Sequence, residues 1–250
     1  QNNEIVITWL AQDSNFNSGK HLMASRWNST NQSLISSSQL LSTDLIIKSM
    51  GTTSNLTSIY FFSRQVSVNT SNVITDSKLS LIQFSDGEVK KEFEISMGTA
   101  LKTSDPWFKM SLDIQEDGVL VLGTTLYNRE DLTLATHSDP LAVYGQVFDH
   151  SLNELSSFFR VDSQTTEREG NLKDLEYLGN SLWAYAWNAI DYTESNRTYF
   201  SGYYKTGEGF VRILDTADMS FFSTMSFTDS NVRIDSMELQ KLAEDFMIII

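Results

Sequence analysis

The sequence contains no cysteine, which removes disulfides, thiolate catalysis and cysteine-based zinc or iron–sulfur sites together and leaves the redox compartment open. Basic residues are also scarce, with 18 Lys and Arg against 32 Asp and Glu and a net charge of −14. Affinity for a phosphate backbone comes from cationic side chains that displace counterions, so nucleic acid is not an expected partner. An anionic membrane surface is disfavoured on the same ground. No apolar run approaches the roughly 18 residues that a bilayer span requires. The closing Phe246-Met247-Ile248-Ile249-Ile250 is far too short, so direct membrane insertion is not expected. Gln1-Asn2-Asn3 lacks the basic and apolar regions of a secretory leader, so either none existed or it lies outside this chain.

Histidine is nearly as rare: His21, His137 and His150 stand far apart, with no His-x-x-x-His spacing to suggest zinc. They read as surface or turn residues. No Gly-x-Gly-x-x-Gly, Gly-x-Ser-x-Gly or Walker pattern occurs, and Gly207-Glu208-Gly209 reads as a hairpin turn. No catalytic residue, metal ligand or cofactor is assigned. Asp113 to Gly118 and Asp86-Gly87-Glu88 read as turns rather than calcium loops, because neither has the alternating acidic pattern of such a loop. The acid pairs Asp191 with Glu194 and Asp131 with Asp139 would suit a glycosidase only if they faced each other. They read as solvated loops.

What the chain has in quantity is hydroxyl and apolar residues. It holds 34 Ser and 22 Thr among 250 residues, with 40% hydrophobic and 12% aromatic, a composition for a folded, β-rich protein. Short apolar runs recur at intervals of several tens of residues. One class comprises Ile5-Val6-Ile7-Thr8-Trp9, Ser58 to Phe62, Val119 to Gly123, Leu182 to Ala186 and the Phe246 to Ile250 tail. Continuous runs of this kind fit strands covered on both faces. A second class ends on an aromatic residue: Met23 to Trp27, Ser80 to Phe84, Tyr144 to Phe148 and Ser201 to Tyr204. Polar turns then lead into a third class that includes Leu34-Ile35, Val89 to Ile95, Leu155 to Val161 and Phe210 to Leu214. A fourth precedes the first: Leu45-Ile46-Ile47, Phe108 to Asp113, Leu172 to Tyr177 and Arg233 to Leu239.

Four antiparallel strands per unit of some tens of residues is the content of a β-propeller blade. The expected fold is therefore all-β, a propeller-like array of about four four-stranded blades, standing alone or as part of a larger ring. The approximate repeats are residues 1–43, 44–98, 99–163 and 164–218, with a partial unit at 219–250. A sandwich or two small barrels is the alternative. Only Ser236 to Met247 offers an amphipathic helix, in competition with a strand.

Tyr144-Gly145-Gln146-Val147-Phe148-Asp149, followed by Phe158-Phe159-Arg160-Val161-Asp162-Ser163, resembles the repeat of large propeller-type surface proteins. In that repeat a Gly-Gln-x-Phe-Asp strand and turn precede a Phe-x-Val-Asn strand, after a strand ending in Trp. Ile5 to Trp9 and Leu182 to Trp187 fit the Trp-bearing strand, whereas Arg26-Trp27-Asn28, Gln83-Phe84-Ser85 and Tyr203-Tyr204-Lys205 keep only the aromatic residue. The resemblance implies a secreted or surface-attached scaffold or adhesin and brings no catalytic residues with it.

Five Asn-x-Ser/Thr sequons, at Asn28, Asn31, Asn55, Asn69 and Asn196, fall in expected turns or loops and are candidate glycosylation sites. Trp9, Trp27, Trp183 and Trp187 read as core between blades, and Trp107 as the exposed aromatic that could contact a ligand such as a glycan. The loops Leu10 to Lys20, Ser63 to Lys78, Thr124 to Pro140 and Asn188 to Arg197 would gather at one face as a binding surface. The expected function is that of a non-enzymatic extracellular or cell-surface structural or adhesive protein. Its partner would be a protein or a second copy, engaged through the Phe246 to Ile250 strand. A glycan-acting propeller hydrolase and a lectin-like module are the alternatives.

Overall fold

A computed structural model describes residues 4–12, 20–42, 46–54, 58–68, 74–85, 88–96, 110–115, 118–127, 141–162, 168–191, 208–228, 237–242 and 245–249. Every regular element among them is a strand. Sheet I is built from β1 (Glu4–Gln12), β2 (Lys20–Asn28) and β3 (Ser33–Ser42). Sheet II follows with β4 (Ile46–Ser54), β5 (Ile59–Val68), β6 (Ile74–Ser85) and β7 (Glu88–Ser96). Sheet III holds β8 (Met110–Ile114), β9 (Leu120–Tyr127), β10 (Leu141–Phe148) and β11 (Phe159–Arg160).

Sheet IV contains β12 (Arg168–Gly179), β13 (Leu182–Asp191), β14 (Glu208–Asp215), β15 (Ser220–Phe221) and β16 (Met225–Thr228). The last two lie along one edge of β14 in nearly continuous register, Leu214 opposite Phe221 and Val211 opposite Met225. Between them Phe222 N–H still donates to Ile213 O at 2.9 Å. They act as one interrupted fourth strand. Sheet V is the hairpin of β17 (Glu238–Leu242) and β18 (Asp245–Ile249). Within every sheet, strands neighbour one another in chain order and run antiparallel.

The packing explains the apolar runs. Tyr60, Phe62, Leu79 and Leu81 of sheet II meet Met110, Leu112, Ile114, Leu120 and Leu122 of sheet III in one buried cluster. The alternate residues of sheet III, Val121, Val143 and Val147, face Leu172, Trp183, Tyr185 and Trp187 of sheet IV. The other face of β13 turns Ala184 and Ala186 toward Met237 and Leu239. Sheets III and IV are thus covered on both faces, which is why their strands read as continuous rather than alternating. Strand β8 has a wetter face: Met110, Leu112 and Ile114 are buried while Ser111 and Asp113 are half-buried.

The repeat motif has a local physical basis. Gly145 and Gly123 lie opposite each other on β10 and β9. Together they open a slot for Tyr185, whose hydroxyl donates to Leu122 O at 3.0 Å. A Cβ on Gly145 would meet the Tyr185 hydroxyl and, at 2.6 Å, the Phe159 ring. Gln146 Nε2 donates to Glu154 Oε2 at 3.0 Å and to Ser156 O at 3.1 Å. Asp149 Oδ1 accepts from Ser151 N–H and Asn153 N–H, both at 2.8 Å, closing the turn after β10. Asp162 is buried, accepts from Arg160 Nε at 2.5 Å and from Val143 N–H at 3.1 Å, and so ties the tail of sheet III to β10.

One alternative is decided and one expectation corrected. Between the helix and the strand that competed for Ser236 to Met247, the described residues take the strand: Met237 and Leu239 are buried and Glu238 and Gln240 exposed, and period 2 wins because only one face meets sheet IV. Trp9 is not core. It is 38% exposed, beside Ile7 at 48% and Ile5 at 52%, on a face of sheet I that no described sheet covers. Trp183 and Trp187, by contrast, are fully buried. The first sheet has three strands, one for each of the three runs read before Leu45. The strands also reach further than expected into the anticipated binding loops: β1 runs to Gln12 and β5 to Val68.

Candidate functional site

Two surfaces stand out from the framework. The first is the outer face of sheet I. Pairing of Ile5 with Trp27, Ile7 with Ser25 and Trp9 with Met23 places these residues on one side of the β1–β2 ladder. Leu34, opposite Trp27 on β3, extends it and is 51% exposed. The Trp27 indole is half-buried and donates to Ser25 Oγ at 2.9 Å. This is an apolar sheet face on an acidic protein, the kind of surface that marks a contact.

The hairpin turn between β2 and β3 sits beside this face and carries two sequons. Asn28 Oδ1 accepts from Thr30 N–H at 2.9 Å and from Asn31 N–H at 3.2 Å. Asn31 Oδ1 accepts from Ser33 N–H at 3.1 Å and from Ser33 Oγ at 2.6 Å. In both, the carbonyl oxygen holds the turn, and the amide nitrogen is the atom to which a glycan attaches. Asn31 is exposed and Asn28 half-buried. Gln32 adopts a φ of 55°, a left-handed residue that completes the reversal.

The second surface is the seam along the first strands of sheets II to V, where β4 adjoins β8, β8 adjoins β12 and β12 adjoins β17. Asp113 of β8 accepts from Tyr177 N–H of β12 at 2.8 Å and from Thr53 Oγ1 of β4 at 3.3 Å. One sheet further on, Asp174 Oδ2 accepts from Leu239 N–H of β17 at 2.7 Å. Each carboxylate fastens the backbone of the next sheet. Glu176 joins them, in contact with the backbone N–H and the charge of Lys241, while Lys241 Nζ sits 5.1 Å from the Tyr177 ring centroid. Burial, then the charges of Asp113 and Asp174, push the Glu176 carboxyl up to about 7 against the pull of Lys241. Burial also raises Asp113, although its hydrogen bonds oppose that.

The residues singled out from the sequence are distributed differently. Asn28 and Asn31 share one turn, whereas Asn55, Asn69, Asn196 and Trp107 lie outside the described residues. His21 is on β2, His150 is exposed in the turn after β10, and His137 lies outside. His150 serves through its carbonyl, which accepts from the Tyr60 hydroxyl at 2.8 Å and links sheets II and III. In Asp113 to Gly118 a hydrogen-bonded turn closes, with Gly118 N–H donating to Gln115 O at 3.0 Å, and the Asp113 carboxylate is directed to β4 and β12. Asp191 ends β13, while Glu194, Asp131, Asp139 and Asp86-Gly87 lie outside the described residues. Among the described residues no group of three or more His, Asp or Glu is placed to hold a metal ion, and no helix is long and apolar enough to cross a membrane. The seam was not foreseen. No protein-family model and no curated protein matches the chain in sequence.

Proposed function

We propose that this chain is a non-enzymatic, extracellular or cell-surface structural protein, built from propeller-like blades and assembling with copies of itself through sheet I. The observation that carries the reading is the serial, face-to-face order of the sheets, joined first strand to first strand. Radial repetition of small antiparallel sheets has this connectivity. In the series, strands β5, β9 and β13 bury their alternate apolar residues against the next sheet. Strand β1 offers the same alternation, Ile5, Ile7 and Trp9, to solvent. A second copy fits this face because its sheets are the surfaces such faces cover within the chain. The contact would be heterologous, building a ring or a filament.

β18 has β17 as its one neighbour among the described residues, so its other edge is a further route to strand addition. The exposed Trp9 lends some support to a lectin-like module, but its aliphatic neighbours Ile5, Ile7 and Leu34 complement a protein face better than a sugar.

The reading is tested by light scattering of the full chain over a concentration series, with Ile7→Lys as the variant. Concentration-dependent association that Ile7→Lys abolishes, with an unchanged circular-dichroism spectrum, is the expected result. A wild-type monomer at all concentrations would overturn self-assembly. Peptide mass mapping of native-source protein tests the surface assignment: hexose on Asn28 or Asn31 is expected, and unmodified peptides overturn the glycoprotein reading.

A further inference from the structure

A sheet edge leaves backbone N–H and C=O groups without a ladder partner, and folded proteins protect such edges with charge, brevity, bulges or interruption. In sheets II to IV the first strand adjoins the first strand of a neighbouring sheet, so the last strand is the free edge among the described residues, and each is protected. β7 carries five charges in nine residues, Glu88, Lys90, Lys91, Glu92 and Glu94. β11 has two residues, and the pair β15 and β16 is interrupted. β3, the last strand of sheet I, is different. Its ten residues carry no charge and no proline, and β2 is its one ladder partner among the described strands. Two bulges, at Ile35 and Leu40, leave Ser36 to Gln39 between them in unbroken register with β2. The edge of β1, by contrast, is the one that a first strand occupies in sheets II to IV.

We propose that β3 is the contact of a symmetric dimer: the β3 strands of two copies pair antiparallel about a two-fold axis at Ser37, joining two three-stranded sheets into one of six. This rests on the reading that copies assemble through sheet I, and it names the edge at which two of them meet. A two-fold axis between antiparallel strands stands perpendicular to the sheet, so the residue on the axis faces its own copy and the residues flanking it face each other. With Ser37 on the axis, Ser36 of each copy lies opposite Ser38 of the other. The central positions thus pair hydroxyl with hydroxyl, a favourable cross-strand combination. No charge on β3 opposes another, which matters between copies that each carry a net charge of −14.

The symmetry also decides what the dimer presents. Ile7, Ser25 and Ser37 form one row across β1, β2 and β3, on the side that carries Ile5 and Trp9. Ser37 is exposed there. Because the axis is perpendicular to the sheet, both copies turn this side the same way, and the row runs on through Ser37, Ser25 and Ile7 of the second copy. The two apolar faces then lie on one surface, available to the heterologous contact. A strand of an unrelated protein satisfies the same backbone groups without adding a second apolar face; a second copy does both.

The test is hydrogen exchange of the full chain as its concentration is raised from about 1 to about 100 µM, where peptides spanning β3 should gain protection by about fivefold or more. Peptides of β7 should not change. Ser37→Lys sets two like charges opposite each other across the axis, as does Ser37→Glu, and each variant alone should self-associate about fivefold more weakly. An equimolar mixture of the two, in which opposite charges meet, should recover the protection of β3. Constant protection of β3 over the concentration series would overturn the proposal, and so would a mixture no better protected than either variant alone. Light scattering of the same samples separates this idea from the reading it rests on. Association that Ile7→Lys abolishes while β3 protection stays constant leaves assembly through the face of sheet I standing and removes the edge contact; a monomer at every concentration removes both.

Discussion

The two faces of β13 belong to one strand of one sheet, yet they make opposite kinds of junction. Toward sheet III the strand presents Trp183, Tyr185 and Trp187, all fully buried, and Trp187 stacks on Phe210 with 5.6 Å between ring centroids. Toward β17 it presents Ala184 and Ala186. Large aromatics give sheet III a dry, wide contact. Alanines bring β17 close, and the backbone hydrogen bonds to Asp174 and Glu176 take over at the margin. Period-2 alternation thus lets ten residues encode a wide aromatic contact on one side and a close alanine contact on the other, beside which the carboxylates of β12 lie. At the margin of the second, burial and the charges of Asp113 and Asp174 push the Glu176 carboxyl of β12 up to about 7.

Removing the aromatic side breaks this contrast most severely. Trp187→Ala should cost about 3–5 kcal/mol in urea-unfolding free energy, the range for truncating a fully buried Trp. A loss below about 1 kcal/mol would mean that sheets III and IV are not held by this face. Filling the slot opposite the aromatics comes next. Gly145→Ala should cost about 1–3 kcal/mol, because the added methyl meets the Tyr185 hydroxyl and the Phe159 ring, neither of which can retreat cheaply. Tyr185→Phe removes that hydroxyl along with its bond to Leu122 O. The double variant should therefore be less destabilised than the sum of the two singles, and strict additivity would show that the hydroxyl is not what the methyl strikes.

The sequence made the strands legible wherever burial is two-sided. Ser58 to Phe62, Val119 to Gly123 and Leu182 to Ala186 lie on or against β5, β9 and β13, because a run covered on both faces needs apolar residues at every position. Where only one side is covered two readings stayed open. Met237, Leu239 and Leu242 satisfy a helical spacing as well as an alternating one, and contact with sheet IV decides between them. Trp9 was misread for a related reason: composition marks a residue fit for burial, but whether a sheet lies over it depends on how the units are arranged. The carboxylate seam was least legible. Asp113 to Tyr177 and Asp174 to Leu239 are separated by 64 and 65 residues. An aspartate in a strand looks the same whether its acceptor faces water or the backbone of the next sheet.

The smallest effect expected concerns the turn after β10, and its value lies in its sign. Slight burial raises the Asp149 carboxyl, but bonds from the backbone and side chain of Asn153 and the backbone of Ser151 outweigh it and hold the group below the ordinary carboxylate range. A depressed value contributes stability that is present above about 3.9 and lost as pH falls through the folded value. Glu176, whose value is raised, does the reverse: the stability it contributes is present below about 4.5 and is lost as pH rises through about 7. The two titrations therefore sit on opposite limbs of the stability profile. Because Asp149 is largely solvated, Asp149→Asn should cost only about 0.3 kcal/mol at pH 6. In urea titrations that difference should shrink as pH falls through the folded value, leaving the neutral limb untouched. A difference that stays constant with pH would mean the turn is held by an oxygen of any kind, with the carboxylate charge contributing nothing.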